Sequence, residues 1–231
     1  MANHPWTKKY PEGVSTEVSS DRPENLLEVF NHSFKQFGSR EAFENMGKSL
    51  TYDEIHQQSD FFAAYLQSEL GLQKGDRIAI QMPNCLQYPI ALIGSLKAGL
   101  VVVNTNPLYT HREMEHQFAD AEVKAIVIVA NFAHSLEIAL KKVKIEHVIV
   151  TELGDMLGGL KGTLVNFVVK HIKKMVPKFN IPGTLQFKDV LKAGARMKYS
   201  KPKVASSDTA FLQYTGGTTG LSKGATLSHG N

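Results

Sequence analysis

From Lys74 to Thr151 the chain repeats one pattern: a short, continuously apolar run, a longer stretch with helical spacing, then another apolar run. The runs RIAIQM, LVVVNT, AIVIVA and HVIVT show no polar alternation that would leave one face in water. Strands of that kind are covered on both faces, and parallel neighbours need a crossover long enough to hold a helix. The segments CLQYPIALIGSLKAG, HREMEHQFADA and AHSLEIALKKV supply such crossovers, the second opened by a Thr110–Glu113 capping pattern. The pattern predicts an α/β fold over 74–151, a doubly wound unit whose mostly parallel sheet carries helices on both faces.

The flanks are less regular. Residues 1–73 form an entry region with small strands. DRPENLLEVFNHSFKQFG reads as a helix with Asp21 as its cap, Pro23 early and Gly38 as its stop, and Leu26, Leu27, Phe30, Phe34 and Phe37 share one face. EAFENMGKSLTY reads as two short strands around a Gly47 turn, and Thr51 with Glu54 caps a helix running to Gly71. At Glu152 the alternation stops, and 152–183 reads as an insertion bounded by Gly and Pro. Over 184–231 a helix FKDVLKAG and a polar link precede the strand TAFLQY, which enters a loop rich in Gly and Thr; ATLSH after the loop reads as strand.

Composition sets the outer limits. Of 231 residues, 42% are hydrophobic and 21% charged, as in an ordinary globular protein. A net charge of +4 is too mild to imply nucleic acid, and none is expected as a partner. The single cysteine, Cys85, excludes an internal disulfide framework. The opening residues lack the apolar run of a signal peptide, and no stretch is long and apolar enough to span a bilayer, so a cytoplasmic location is the default reading.

The loop from Tyr214 to Ala225, YTGGTTGLSKGA, makes the most specific chemical offer. Its glycines let backbone N–H groups approach a ligand closely, its threonines add hydroxyl donors, and Lys223 adds a positive charge. That set suits phosphate oxygens. The P-loop pattern of nucleotide hydrolases fails, because Ser222 precedes and Gly224 follows Lys223. The dinucleotide fingerprint fails on glycine spacing, with Gly216, Gly217, Gly220 and Gly224 out of step.

With those residues in view, YTGGTTGLSKG resembles the phosphate-binding signature of adenylate-forming enzymes, with Gly216 where the family usually has Ser and Ser222 where it usually has Pro. The segment RIAIQM through KAIV, including the turn NPLYT, is similar to the N-terminal domain of that superfamily. The Gly form of the loop, the opening YPEGVSTEV and the 152–183 insertion resemble bacterial long-chain fatty acid–CoA ligases. The resemblance implies ATP, Mg2+ and CoA as reactants and a long-chain fatty acid as substrate. Acyl-adenylate and pyrophosphate form first; CoA thiol then displaces AMP.

It further implies that Tyr214, Thr215, Gly216, Gly217, Thr218, Thr219, Gly220, Leu221, Ser222, Lys223, Gly224 and Ala225 form the nucleotide-binding stretch, with Thr215 also associated with the metal. Adenine, ribose and catalytic residues of the family lie downstream of this loop, and the resemblance puts the catalytic ones beyond Asn231, so none is named within the chain. SHGN, ending at Asn231, resembles the start of the next family helix. The expectation is therefore an N-terminal portion of an AMP-binding domain over 1–231, lacking the C-terminal domain and unable to turn over alone. The alternatives are an adenylate-forming ligase for a medium-chain or aryl acid, or a non-catalytic nucleotide- or membrane-binding module.

Between Lys161 and Lys178, Leu164, Val165, Val168, Ile172, Met175 and Val176 recur at helical spacing, accompanied by Lys161, Lys170, Lys173, Lys174 and Lys178. A basic amphipathic helix of this kind suits peripheral contact with an anionic membrane, here the cytoplasmic face of the inner membrane; the commoner arrangement packs the apolar face on the protein. His111 and His116 stand five apart on a predicted helix, which does not suit a shared metal ion. Cys85 at a predicted helix start is read as inert and buried, and Tyr88, Tyr109 and Phe132 as core residues with an acyl tunnel as the alternative.

Overall fold

The computed structural model describes residues 5–16, 23–215 and 222–231. Asp21 lies outside them. Helix α1 (Leu26–Phe37) is capped by Asn25, whose Oδ1 accepts the Glu28 N–H at 3.1 Å. The same side chain donates to the Val204 carbonyl at 3.1 Å. That second bond fastens the helix start to the polar link before the last strands, a contact that no local cap signal reveals.

Strands β1 (Glu41–Asn45) and β2 (Lys48–Thr51) form an antiparallel hairpin. Met46 and Gly47 both have positive φ, 51° and 68°, as a two-residue turn matched to strand twist requires. The Thr51–Glu54 capping box then opens α2 (Tyr52–Ser68), with the two backbone-to-side-chain bonds at 3.2 and 2.7 Å.

The expected alternation follows as β3 (Arg77–Gln81), α3 (Gln87–Lys97), β4 (Val101–Asn104), α4 (His111–Asp120), β5 (Val123–Val129), α5 (Ala133–Ala139) and β6 (His147–Thr151). After it come α6 (Gly159–Phe167), β7 (Leu185–Gln186), α7 (Phe187–Gly194), β8 (Thr209–Thr215) and β9 (Lys223–Ser228). The seven-stranded sheet has the order β7-β6-β5-β3-β4-β8-β9, parallel throughout except for the β8–β9 pair.

Side chains alternate through the sheet. Ile78, Ile80, Val102 and Val127 pack with Phe62 and Leu66 of α2, Ile90 of α3 and Phe187 of α7. Ala79, Val103, Ile126 and Ile128 pack on the other face with Met114 and Phe118 of α4 and Leu136 of α5. Both faces are covered, as the uninterrupted apolar strands require.

Several helix ends differ from their sequence patterns. Helix α3 starts at Gln87 rather than Cys85, and α5 ends at Ala139, before the lysine-rich turn. The amphipathic segment expected to reach Lys178 is α6 plus a π-helical turn over Val168–Ile172. A helix continued beyond that point would compete with Lys174, whose φ is 51°. Ser228 ends β9, and His229 and Gly230 follow as a turn closed by Asn231. Asn231 Oδ1 accepts the Ser228 N–H at 2.7 Å, and the Asn231 N–H reaches the Ser228 carbonyl at 3.4 Å.

One charge lies inside the first core. Lys97, 4% exposed, donates from Nζ to Asp60 Oδ1 at 2.7 Å, Ser59 Oγ at 2.8 Å and the His56 carbonyl at 3.0 Å, with His56 Nδ1 at 2.8 Å and the Phe34 ring beneath it. An Nδ1 this close to an ammonium must be unprotonated, because a protonated one would set N–H against N–H. Burial, then the Lys97 charge, lowers the His56 pKa, while Asp60 partly opposes them. A base whose folded pKa lies below its unfolded value binds fewer protons when folded, so stability is full above about 6.5 and declines as the pH falls beneath it. Thermal unfolding monitored from pH 7 to 5.5 should show a falling midpoint. His56→Asn, which keeps an acceptor for Lys97, should flatten that decline; an identical decline in the variant contradicts the assignment.

Candidate functional site

Because β3, β4, β5, β6 and β8 run parallel, their C-terminal ends meet at one edge of the sheet. The chain passes from β3 to β4 on one side and then returns to β5 on the other. Crevices at such reversals are where open α/β sheets hold ligands. Here a cleft of about 500 Å³ opens, lined by Met82, Tyr88, Asn104, Tyr109, Gln213 and Tyr214 among others.

Its wall is a chain of polar groups. The Tyr88 hydroxyl donates to Asn104 Oδ1 at 3.0 Å, and Asn104 Nδ2 donates to Gln213 Oε1 at 3.3 Å. Gln117 of α4 donates to the Asn104 carbonyl at 3.1 Å, and Gln81 to the Asn106 carbonyl at 3.2 Å. Burial pushes the Tyr88 pKa up, so the phenol stays a neutral donor. Of the three aromatics weighed for an acyl tunnel, Tyr88 and Tyr109 line this cleft, and Phe132 is partly buried between the two core clusters.

The glycine- and threonine-rich stretch joins the cleft at the end of β8. Gly216, Gly217, Thr218, Thr219, Gly220 and Leu221 lie outside the described residues, and the flanks are described on both sides. Thr215 pairs across the ladder with Lys223, and Tyr214 with Gly224. Residues directly opposite in an antiparallel pair project from the same face, so the Thr215 hydroxyl and the Lys223 ammonium leave the mouth of the hairpin together. Both residues are exposed.

Tyr214 is buried, and its ring lies against Gly224: a Cβ there would stand 2.9 Å from two ring carbons. Gly224 is thus demanded by close packing of the tyrosine rather than by its backbone angles. The Tyr214 hydroxyl donates to Asp120 Oδ2, and burial followed by that carboxylate holds its pKa well above the usual phenol range. On the far arm, His116 Nε2 donates to the Ser222 carbonyl at 2.8 Å.

His116 therefore touches the loop's exit, while His111 opens α4. Among the described residues no group of three His, Cys, Asp or Glu is placed to hold a metal ion. Cys85 is buried with its sulfur 3.6 Å from Met82 Sδ, and burial raises its pKa, as an inert thiol requires. Asn231, beyond which the catalytic residues are expected, is exposed and bonded only within the turn after β9, outside the residues that line the cleft. The roles of His116 and Asp120 carry no local sequence signal. Their four-residue spacing on α4 puts them on one helical face, but their partners lie 106 and 94 residues away.

Residues 30–231 match the family model described as AMP-binding enzyme. The chain is 55% identical over 226 residues to a long-chain-fatty-acid–CoA ligase of Yersinia pestis and 53% identical over 226 residues to one of Salmonella typhimurium. Each match covers 98% of this chain and 40% of the relative's length. Among solved structures, the anthranilate CoA ligase AuaEII in complex with anthranoyl-AMP superposes with a TM-score of 0.72 at 18% identity, covering 93% of this chain and 37% of that one. That likeness concerns the fold. It agrees with an α/β architecture whose mostly parallel sheet is covered on both faces.

Proposed function

The chain belongs to the AMP-binding enzyme family, and from that premise we propose that residues 214–225 hold the β- and γ-phosphates of ATP in a long-chain fatty acid–CoA ligase. The observation that supports this best is the paired emergence of Thr215 and Lys223 from one face of the β8–β9 hairpin, beside the cleft at the sheet's C-terminal edge. The curated relatives at 53–55% identity are long-chain-fatty-acid–CoA ligases, which favours an aliphatic acid of that length over an aryl or medium-chain one. The chain spans 40% of their length.

The reaction asks a fatty acid carboxylate to attack the α-phosphate, releasing pyrophosphate, before CoA thiol displaces AMP. Negative charge grows on the leaving pyrophosphate, and donors fixed in advance around it lower the barrier. Lys223 supplies a full positive charge there, and the hydroxyl of Thr215, with loop amides, supplies directional donors. A magnesium ion carried by the triphosphate keeps most of its phosphate and water ligands, so a single exposed hydroxyl such as that of Thr215 fits it better than a carboxylate cage would. When bound, that ion adds charge neutralisation on the phosphates.

In this reading residues 1–73 form the entry to the AMP-binding domain, 74–151 its doubly wound core, and 184–231 the strand and loop that meet the nucleotide. Residues 152–183 are assigned to a membrane-facing insertion. Helix α6 docks through Gly162, which packs on the Gly154 carbonyl, and Asn166, which accepts the Gly154 N–H at 2.7 Å. That docking turns Leu160, Leu164, Phe167 and Ile172 outward, Leu160 at 90% exposure. Lys161 donates to the Met46 carbonyl and Lys170 lies 3.8 Å from Glu152, so Lys173, Lys174 and Lys178 are the lysines assigned to anionic headgroups. The location is then peripheral on the cytoplasmic side of a membrane; no helix among the described residues is long and apolar enough to cross one.

In the full-length enzyme carrying these residues, Lys223→Ala should slow acid-dependent ATP–pyrophosphate exchange by roughly a hundredfold, while thioester formation from supplied acyl-adenylate changes little. Equal loss in both steps contradicts the phosphate role. Exchange driven as well by benzoate as by hexadecanoate contradicts the long-chain assignment. For the insertion, replacing Lys173, Lys174 and Lys178 by Glu together with Phe167→Gln should abolish co-sedimentation with anionic liposomes; unchanged sedimentation removes the membrane role.

A further inference from the structure

Helix α4 touches both arms of the β8–β9 hairpin, and it does so from one face. His116 and Asp120 stand four residues apart, so their side chains lie one above the other along the helix. Asp120 takes the Tyr214 hydroxyl, one residue before Thr215; His116 takes the Ser222 carbonyl, one residue before Lys223. Each bond therefore lies a single residue from a group assigned to the phosphates.

The helix that makes these bonds is itself anchored in the fold. Met114, Gln117 and Phe118 are buried against the sheet, Gln117 ties α4 to the end of β4, and the Thr110–Glu113 capping box closes its first turn. The hairpin needs such an anchor. Strand β9 is the last in the sheet order and is joined only to β8, so the ladder leaves the hairpin free to pivot about one strand. Bonds from α4 to both arms add a second attachment, one on each flank.

Resting on the assignment of 214–225 to the triphosphate, we propose that His116 and Asp120 are positioning residues which hold the two flanks of the phosphate loop in their nucleotide-binding geometry. Neither is a phosphate ligand. A carboxylate beside phosphate oxygens repels them, and Asp120 is instead occupied by a phenol; His116 Nε2 is occupied by a backbone carbonyl. The two residues act through Tyr214 and Ser222.

The test uses the full-length enzyme carrying these residues, with Mg·ATP and Mg·AMP titrated calorimetrically and amide hydrogen exchange followed at Ser222–Ala225. His116→Leu should raise the ATP dissociation constant about five- to tenfold, as loss of one or two linked hydrogen bonds implies, and speed exchange at those amides by a similar factor. AMP binding should stay within twofold, since AMP lacks the phosphates that the flanks position. His116→Gln, which keeps a donor at the Nε2 position, should restore both readouts to within twofold, and Tyr214→Phe should reproduce the loss from the other arm. Should His116→Leu fail to fold, Tyr214→Phe and His116→Gln carry the test alone. Unchanged exchange and ATP affinity in the broken variants, or equal losses for ATP and AMP, overturn the proposal. If the wild-type full-length enzyme binds no ATP, the triphosphate assignment fails, while the exchange data still decide whether α4 holds the hairpin.

Discussion

Burial of β3, β4, β5 and β6 on both faces is the constraint from which the rest of the structure follows. Strands with no polar face must be sandwiched, sandwiching in sequence order calls for helical crossovers, and helical crossovers make neighbours parallel. Parallel strands bring all their C-terminal ends to one edge. The cleft beside Tyr88, Asn104 and Gln213, and the mouth of the β8–β9 hairpin, lie at that edge for this reason. Lys97, an ammonium buried between α2 and α3, is held by Asp60, Ser59 and His56 together, which is what burying an ammonium demands.

Phosphoryl chemistry asks a protein mainly to place charge and donors and keep them still. Helix α4 serves both needs of this fold. Met114 and Phe118 seal one face of the sheet, and the side facing the hairpin carries His116 and Asp120 to the loop's flanks. Packing on one face thereby becomes precision on another, because a helix pinned by its apolar residues can hold polar ones in fixed places.

Much of this was readable in the residues. The apolar runs and their crossovers between 74 and 151, the capping boxes at Thr51 and Thr110, and the turn at Gly47 all carry local signals, and each forms as expected. The misses share a cause. Asn25 caps α1 and also reaches Val204; the amphipathic segment ends at Ile172 although its pattern continues; and Gly224 is small because Tyr214 lies over it. His116, whose spacing from His111 does not suit a shared metal ion, reaches Ser222 across the fold. Such contacts depend on which strand lies beside which, and β8 sits beside β4 through a sequence separation that no local pattern encodes.

The most direct measurement is a crystal structure of the full-length enzyme carrying these residues with a non-hydrolysable ATP analogue and magnesium. The account predicts the β- and γ-phosphates seated at the hairpin mouth, within hydrogen-bond distance of the Thr215 hydroxyl and the Lys223 ammonium, with Tyr214 still bonded to Asp120. A triphosphate lodged elsewhere, for example in the lysine-lined groove at residues 141–146, would contradict it.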